Sequence, residues 1–368
     1  MTIVTKKIKG NKYYYFQDAI KLNNGKFKNI STCIGRVDLN SKDLDIARTK
    51  AATKQFIKTY KATSLIKKTT YHFRNKPSHT IYNSDYFEFV KLTYHQLKAN
   101  SLPDEMHEIE RTVFVKYVHG TTAIEGNTLT EEETEKVLFK DQTPLNKSRQ
   151  EYLEVANYND VQEFLDNYND DVNEKMILTI NFHLMKNLYD KYGKPIRAGE
   201  YRSKPAIIKG VWYTPPSPEM VEQRMHYLLA EYNDGIKKNI HPIELISIFH
   251  QKFEEIHPFQ DGNGRTGRAI LNYMLQWHGF PPIYIPKELR RRYLDALEKG
   301  NNSNFIPLID LIISRIDAMI WLLYTYYKEY DAFTSPEYEN MIKSLSDESY
   351  YNKIRNRLQH LKKSQIEP

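Results

Sequence analysis

Apolar residues recur at helical spacing along most of this 368-residue chain. From about position 82 onward the spacing predicts helices, with long amphipathic runs near 148–168, 173–190, 217–233, 242–256, 265–278, 287–299 and 304–329. Two of these runs begin with a proline in the first turn and an acidic residue close behind, as in Ser217-Pro218-Glu219 and His241-Pro242-Ile243-Glu244. The body of the chain is therefore predicted to be mainly α.

The front end has a different pattern. A run from Lys12 to Ile20 and a second run from Lys26 to Ile34 are rich in aromatic and β-branched residues, and Asn23-Asn24-Gly25 separates them. This arrangement predicts a β-hairpin. A lysine-rich helix is predicted from about Ser41 to Ala62, and the polar stretch 74–78 is predicted to be a linker. Residues 205–216 carry β-branched and aromatic residues around Gly210, which predicts a short hairpin inside the helical body.

Charge divides the chain in the same place. Residues 1–80 contain 18 Lys and Arg against 4 Asp and Glu, whereas the remainder contains 35 against 42. This asymmetry predicts a basic N-terminal region (1–80), a helical domain (81–330) and a polar helical tail (331–368).

Composition excludes several classes of protein. No stretch reaches the roughly 18 apolar residues of a membrane helix, and Met1–Lys7 has no apolar signal region. A single cysteine, Cys33, excludes an internal disulfide and any cysteine-based zinc cluster. The sequence thus leads us to expect a cytoplasmic protein with no membrane partner.

A compact polar segment lies between two apolar helical runs at residues 257–268, and it reads His-Pro-Phe-Gln-Asp-Gly-Asn-Gly-Arg-Thr-Gly-Arg. Gly262 and Gly264 permit close approach of the backbone to a ligand, and successive amides at a helix start favour an anion. Arg265 and Arg268 are three residues apart and project from one face of the first turn, an arrangement that would suit a polyphosphate. Asp261 offers a carboxylate oxygen for Mg²⁺, and His257 offers a base near neutral pH.

This segment resembles the Fic-domain signature HxFx(D/E)GNGRxxR at every fixed position. The resemblance covers about residues 85–330 and implies a helical bundle that transfers AMP from ATP to a Ser, Thr or Tyr hydroxyl of a target protein. It implies that His257 is the catalytic base and that Asp261 holds Mg²⁺. The residues that it implies for ATP binding in this segment are Asp261, Gly262, Asn263, Gly264, Arg265, Thr266, Gly267 and Arg268.

Two further segments support the resemblance. Gly199-Glu200-Tyr201-Arg202 and the 205–216 hairpin resemble the family's flap, in which Ile207 and Ile208 would cover the nucleotide; the alternative is a core hairpin. Thr121-Thr122-Ala123-Ile124-Glu125-Gly126-Asn127 resembles the inhibitory motif (S/T)xxxE(G/N) of one class of the family. That resemblance assigns Thr121, Glu125 and Gly126 to inhibition and pairs Glu125, at the edge of the ATP site, with Arg268. The alternative is an ordinary helix end with Gly126 at the C-cap.

The family's nucleotide pocket implies a further set of positions downstream, with residue types that are loosely constrained. Leu294 stands where some relatives carry an aromatic, which leaves a stacking contact there in doubt. The positions are Tyr293, Leu294, Leu297 and Asn301.

Other functions stay open at this point. The basic region 1–80, with Tyr13 to Phe16 among lysines, permits a nucleic-acid-associated regulator, or else it is a solvated hairpin whose aromatics pack on a neighbour. A metal-dependent hydrolase is a weaker alternative, because His241, His250 and His257 recur without an HExxH motif. Glu125 could also position a water that removes AMP from a modified protein. A second copy of the chain is a candidate partner.

Overall fold

The structure is a computed structural model that describes residues 2–21, 27–36, 71–78, 86–88, 90–91, 94, 103–207 and 213–329. The chain divides into two compact units, one of residues 1–69, 79–102 and 321–368 and the other of residues 70–78 and 103–320. The predicted turn at 23–25, the predicted helix at 41–62 and the tail at 331–368 lie outside the described residues. The domain boundaries predicted from composition stay predictions.

The N-terminal strands form an antiparallel sheet in the order β1 (Thr2–Ile8), β2 (Asn11–Lys21) and β3 (Phe27–Arg36). The predicted hairpin is confirmed, since β2 and β3 pair from Tyr13↔Arg36 to Lys21↔Phe27. Strand β1 was not predicted. It joins β2 through Lys9 and Gly10, whose φ angles of 46° and 83° are those of a two-residue type I′ turn.

The described helices of the body agree closely with those that the periodicity of the sequence predicts. Pro218 and Pro242 both lie in the first turn of a helix, as predicted. One helix was missed, α2, which begins with a capping box formed by Thr130 and Glu133. A 3₁₀ turn, Lys287–Leu289, precedes α8. The helices are α1 (Pro103–Glu125), α2 (Glu131–Lys140), α3 (Arg149–Asp166), α4 (Glu174–Met185), α5 (Pro218–Lys237), α6 (Pro242–Ile256), α7 (Asn263–Trp277), α8 (Arg290–Gly300) and α9 (Ile306–Glu329).

Helices α6 and α7 lie at the centre of the body. Buried apolar side chains occur in nearly every turn of α6, among them Ile246, Phe249 and Phe253. In α7, Met274 and Leu275 are fully buried. The loop that joins these helices is therefore held at both ends by rigid, buried elements. Within the described residues, no helix combines the length and the apolar character that crossing a bilayer requires.

The polar stretch 74–78 is anchored to the body, although its composition predicted a linker. The backbone N–H of Arg74 donates to Glu244 Oε2 at 2.8 Å, and Asn75 Nδ2 donates to Glu244 Oε1 at 2.9 Å. Glu244 is fully buried, and a buried carboxylate needs such partners to offset its lost hydration. Two polar residues of this stretch, Arg74 and Asn75, thus serve as hydrogen-bond partners of the buried Glu244 carboxylate.

Candidate active site in the loop between helices α6 and α7

The turn from α6 into α7 begins at His257 and ends at Gly262. His257 is the C-cap of α6, with a left-handed backbone (φ 52°, ψ 59°) and its N–H donated to Phe253 O. Gly262 is the N-cap of α7 with φ 77°, and a Cβ there would lie 2.3 Å from Met185 Sδ. Only glycine meets both conditions at low cost, so the motif glycine shapes the loop as well as its approach to a ligand.

Asn263 braces this turn from inside. Its Oδ1 accepts from the N–H of Phe259 at 2.8 Å, and its Nδ2 donates to Phe259 O at 3.0 Å. The side chain is buried, and both atoms of its amide are used within the loop. The sequence led us to expect a phosphate contact from Asn263; the structure gives it a bracing position, and the phosphate contact stays a prediction.

Arg202 and Asn181, which sequence reasoning did not include among the site residues, hold the loop from outside. Arg202 donates from its backbone N–H to Pro258 O at 2.9 Å and from Nε to His257 O at 2.8 Å. Asn181 donates to Asp261 O and to Thr266 Oγ1, and it accepts from the N–H of Gly199. Because Asp261 is 80 residues from Asn181 in the sequence, only the fold brings these groups together.

His257 is set up to be neutral near pH 7. Burial lowers the pKa of its imidazole, and Arg202 lowers it further, while the carbonyl of Glu254 and the carboxylates of Glu125 and Asp261 oppose this shift. Its Nδ1 is buried and has no hydrogen-bond partner within the part of the chain that the structure describes. A neutral imidazole can accept a proton, as a general base must.

Arg268 contacts the C-terminal turn of α1. Its Nε donates to Thr121 Oγ1 at 2.7 Å, and its Nη2 donates to Thr121 O at 3.0 Å and to Glu125 Oε1 at 2.6 Å. Burial raises the pKa of Glu125, but the charge and hydrogen bond of Arg268, together with the charges of Arg265 and Arg290, lower it, so the net pKa lies below its ordinary value. The pair implied by the family resemblance is thus present, in its ionised form; its inhibitory role stays a prediction.

Glu125 is held at a capped helix end, so the two readings of its motif are compatible. Gly126 follows α1 with φ 109°, and Arg290 Nε donates to Ile124 O at 2.8 Å. Gly264 makes room for the carboxylate, because a Cβ there would lie 2.3 Å from Glu125 Oε1. A side chain at this position would therefore push the Glu125 carboxylate and the Arg268 guanidinium out of their present arrangement.

Arg265 lies on the same turn of α7 but has weaker contacts. Its side chain is buried, its Nη1 lies 3.4 Å from Glu154 Oε1, and its Nη2 lies 3.4 Å from Asp261 Oδ1. No described residue accepts a hydrogen bond from its Nε or Nη1. Buried guanidinium donors without partners are costly, so this side chain is ready for an anion.

The residues predicted to line the nucleotide pocket differ from one another in burial and in contacts. Tyr293 is 1% exposed, its hydroxyl lies 2.8 Å from His250 Nε2, and its ring lies 5.8 Å from Arg268 Cζ. Leu294 is exposed, and Asn301 Oδ1 accepts from Gln251 Nε2 at 2.7 Å. Tyr293 thus packs under Arg268, while contacts of these residues with a nucleotide stay predictions.

The flap is described only in part. Residues 205–207 and 213–217 have no strand assignment, and Ile207 is 91% exposed. Ile208 and the rest of 208–212 lie outside the described residues, as does the strand prediction made for them. A nucleotide contact of Ile207 or Ile208 stays a prediction.

Glu254 is a further ionisable group beside the site that sequence reasoning missed. Burial raises the pKa of its carboxyl to about 8, against a lowering effect of Arg268. Its Oε1 is buried without a hydrogen-bond partner in the structure and lies 2.4 Å from where a Cβ on Gly267 would stand. A protonated carboxyl at this position requires no counter-charge.

Comparison with known proteins gives one consistent result. The Fic/DOC family matches residues 171–275. Protein adenylyltransferase fic-1 of Caenorhabditis elegans is 31% identical over 58% of this chain and 42% of its own length. Protein adenylyltransferase Fic of Nematostella vectensis is 29% identical over 59% of this chain and 49% of its own length. The chain spans about half the length of the curated relatives it matches.

Solved structures extend this similarity to the fold. A Fic domain containing signaling protein from Bacteroides thetaiotaomicron superposes with a TM-score of 0.59 and 25% identity, over 65% of this chain and 97% of that one. Fic-1 from Caenorhabditis elegans superposes with a TM-score of 0.55 and 25% identity, over 77% of this chain and 82% of that one. The helical body described above is shared with both.

Proposed function

We propose, from the premise that this chain contains a Fic domain, that it transfers AMP from ATP to a Ser, Thr or Tyr hydroxyl of a target protein. One observation supports this proposal above all others. In the short turn between α6 and α7, His257, whose pKa is lowered by burial, lies just before the helix start that carries Arg265 and Arg268, and it would act as the base. A proton acceptor next to an anion site is the combination that nucleotidyl transfer requires.

The proposed transfer step exchanges one oxygen on the α-phosphorus of ATP for another. His257 accepts the proton of the target hydroxyl, the oxygen forms a bond to the α-phosphorus of ATP, and the bond from that phosphorus to the bridging oxygen breaks. Pyrophosphate leaves with the electron pair of the broken bond. Burial is the main cause of the lowered pKa of His257, and because of this lowered pKa the imidazole is unprotonated before the step.

The phosphates would bind at the start of α7. The first backbone N–H groups of a helix have no intrahelical partner, and the positive end of the helix dipole attracts anions. Gly262 and Gly264 allow phosphate oxygens to approach these amides, and Arg265 and Arg268 supply guanidinium donors on the same turn. Most of the rate gain would come from alignment and preorganised charge.

Asp261 fits a role in holding Mg²⁺. Its side chain is 50% exposed, and its Oδ1 accepts from the N–H of Gly262. Among the described residues no group of three or more His, Cys, Asp or Glu side chains surrounds a metal position, so one carboxylate together with substrate phosphates is the fitting arrangement. Bound there, Mg²⁺ would offset negative charge on the phosphates.

Glu125 would restrain this activity. Its carboxylate lies 2.6 Å from the Arg268 donor that the γ-phosphate would use, so the two anions compete for one guanidinium fork. With Glu125 engaged, ATP binds weakly or in an unproductive pose. The same carboxylate would also position a water for removal of AMP from a modified protein, and the direction of the reaction would then depend on the state of Glu125.

His257→Ala tests the proposed function. The variant should lose AMP transfer to protein by at least about 100-fold, because the general base is gone. Its affinity for a non-hydrolysable ATP analogue should stay close to that of the unmodified chain, since His257 holds no phosphate. Transfer is measured as labelled AMP on protein and affinity by calorimetry.

A matched control keeps this test specific. His107 is an exposed histidine of α1, and His107→Ala should leave both quantities unchanged. Continued labelling of protein by His257→Ala from ATP would contradict the assigned role.

A further inference from the structure

We propose that Glu154 of α3 is a positioning residue: its carboxylate fixes the Arg265 guanidinium for phosphate binding and joins it to the segment that carries Glu125. This inference rests on the proposed function and adds a residue outside the motif to the site. Its basis is a chain of contacts from Asn127 through Glu154 to Arg265.

Arg265 has no other strong restraint in the described structure. Only 5% of the residue is exposed, yet its contacts to Glu154 Oε1 and Asp261 Oδ1 are both 3.4 Å long. Among the described residues, no group forms a hydrogen bond with its Nε or Nη1. A buried cation needs nearby negative charge to offset its lost hydration, and Glu154 is the more deeply buried of the two carboxylates that supply it.

Glu154 divides its two oxygens between two parts of the molecule. Oε1 faces Arg265 Nη1, while Oε2 accepts from Asn127 Nδ2 at 3.0 Å. Side-chain amide and guanidinium groups therefore approach the same carboxylate from different elements. This division fixes the orientation of the carboxylate, which a single contact would not do.

Asn127 is itself rigidly held. It is buried, its Nδ2 also donates to Glu151 O at 3.0 Å, and its Oδ1 accepts from the N–H of Leu129 at 3.0 Å. Asn127 lies two residues after Glu125. One anchored amide therefore connects the segment that contacts Arg268 with the carboxylate that orients Arg265.

The geometry favours positioning over inhibition. Glu125 lies 2.6 Å from an Arg268 donor and would have to give it up to a phosphate. Glu154 lies 3.4 Å from Arg265 and leaves Nε and a further N–H available, so a phosphate can bind without displacing it. The two carboxylates thus act oppositely on the two arginines of one turn.

The test uses the full chain in the Glu125→Gly background, in which the proposed AMP transfer is expected to be active. Glu154→Gln should raise the KM for ATP by about tenfold, because the loss of a charged contact to a buried group has an effect of about that size. The variant should change kcat less. The matched control is Glu163→Gln, an exposed carboxylate on the same helix, which should change neither.

A double-mutant cycle separates positioning from a structural effect. Arg265→Lys alone should also raise the KM, and adding Glu154→Gln to it should cause little further change, since Glu154 acts through that guanidinium. Glu154→Asp should recover part of the loss. Thermal unfolding of every variant checks that the chain folds.

The outcomes are distinct. A chain without AMP transfer in the Glu125→Gly background contradicts the proposed function, whereas an active background in which Glu154→Gln equals Glu163→Gln overturns the positioning role alone. Additive effects in the double-mutant cycle, or higher activity of Glu154→Gln, also overturn it.

Discussion

Glu125 and the γ-phosphate of ATP would use the same donors of Arg268. The Glu125 carboxylate is ionised and 39% exposed, and its Oε1 lies 2.6 Å from Nη2 of the buried Arg268, so the carboxylate is both a real competitor and one that can leave. Arg268 is additionally held by Thr121 through Nε, and that contact does not depend on Glu125. Removal of the carboxylate should therefore leave the guanidinium in place.

The first prediction at the residue scale follows from this arrangement. Glu125→Gly should raise automodification by AMP by at least about fivefold, because the γ-phosphate no longer competes with a charge-assisted hydrogen bond, which contributes about 1.5–3 kcal/mol. Incorporation of labelled AMP into the chain itself is the measurement. The double variant Glu125→Gly/His257→Ala is the control and should stay unlabelled. Unchanged labelling of Glu125→Gly would leave Glu125 as a helix-end residue only.

A second prediction concerns Glu254 and pH. Burial raises the pKa of its carboxyl to about 8, so between its ordinary value and about pH 8 the folded protein keeps a proton that the unfolded chain releases. Stability contributed by this group is therefore present at low pH and is lost as pH rises through that window. Glu254→Gln should gain stability relative to the parent as pH rises, by on the order of 1 kcal/mol or more.

Denaturant unfolding at several pH values between about 5 and 9 measures this effect. The control is Glu255→Gln, which removes the neighbouring carboxylate of α6 and shows whether the effect belongs to position 254. Parallel stability curves for Glu254→Gln and the parent would contradict the protonated state assigned to Glu254.

The site residues of the contiguous motif could be predicted from the sequence. The residues that hold the motif loop in place could not. His257, Asp261 and the two arginines stand within twelve consecutive positions, so their chemistry is readable together. Asn181 and Arg202 act on that loop across 80 and 55 residues of sequence. Their types, an amide and an arginine, are common in any helical protein, and only the packing shows what they hold.

At the scale of elements, helix α2 illustrates what a local signal could have provided. Thr130 accepts from the N–H of Glu133 at 3.1 Å, and Glu133 Oε2 accepts from the N–H of Thr130 at 2.8 Å. The capping box was readable as Thr-x-x-Glu before Val137 and Leu138, but the short helix offers little apolar periodicity. Strand β1 was missed for a related reason, since its turn is Lys9-Gly10, without the asparagine or aspartate that usually marks such turns.

The capping box leads to a prediction about stability. Thr130→Ala should lower the free energy of unfolding by about 1 kcal/mol, because the first N–H groups of α2 lose their side-chain acceptor. Chemical denaturation monitored by circular dichroism measures this loss. Thr130→Ser keeps the oxygen and should lose much less; equal losses for the serine and alanine variants would show that the cap does not stabilise α2.

At the scale of the whole molecule, the excess positive charge and the match to the Fic/DOC family lie in different parts of the chain. The excess of lysine and arginine lies in residues 1–80, whereas the match to the Fic/DOC family begins at residue 171. In the sheet, Lys6 Nζ donates to Ser31 at 3.1 Å and lies 4.8 Å from the ring centre of Tyr15, so part of this basic surface is engaged with its own aromatics. Relatives named for adenylyl transfer favour the catalytic prediction over the nucleic-acid alternative.

The transfer of AMP itself is tested most directly by the position of the label that reaches protein. The Glu125→Gly chain is incubated with Mg²⁺ and ATP labelled either at the α-phosphate or at the γ-phosphate, and the protein is analysed by autoradiography and mass spectrometry. We expect the α-label on protein as an adenylyl adduct, no γ-label on protein, and no adduct with the His257→Ala variant. Label from the γ-phosphate on protein, or the absence of any adduct from the active background, would contradict the central claim.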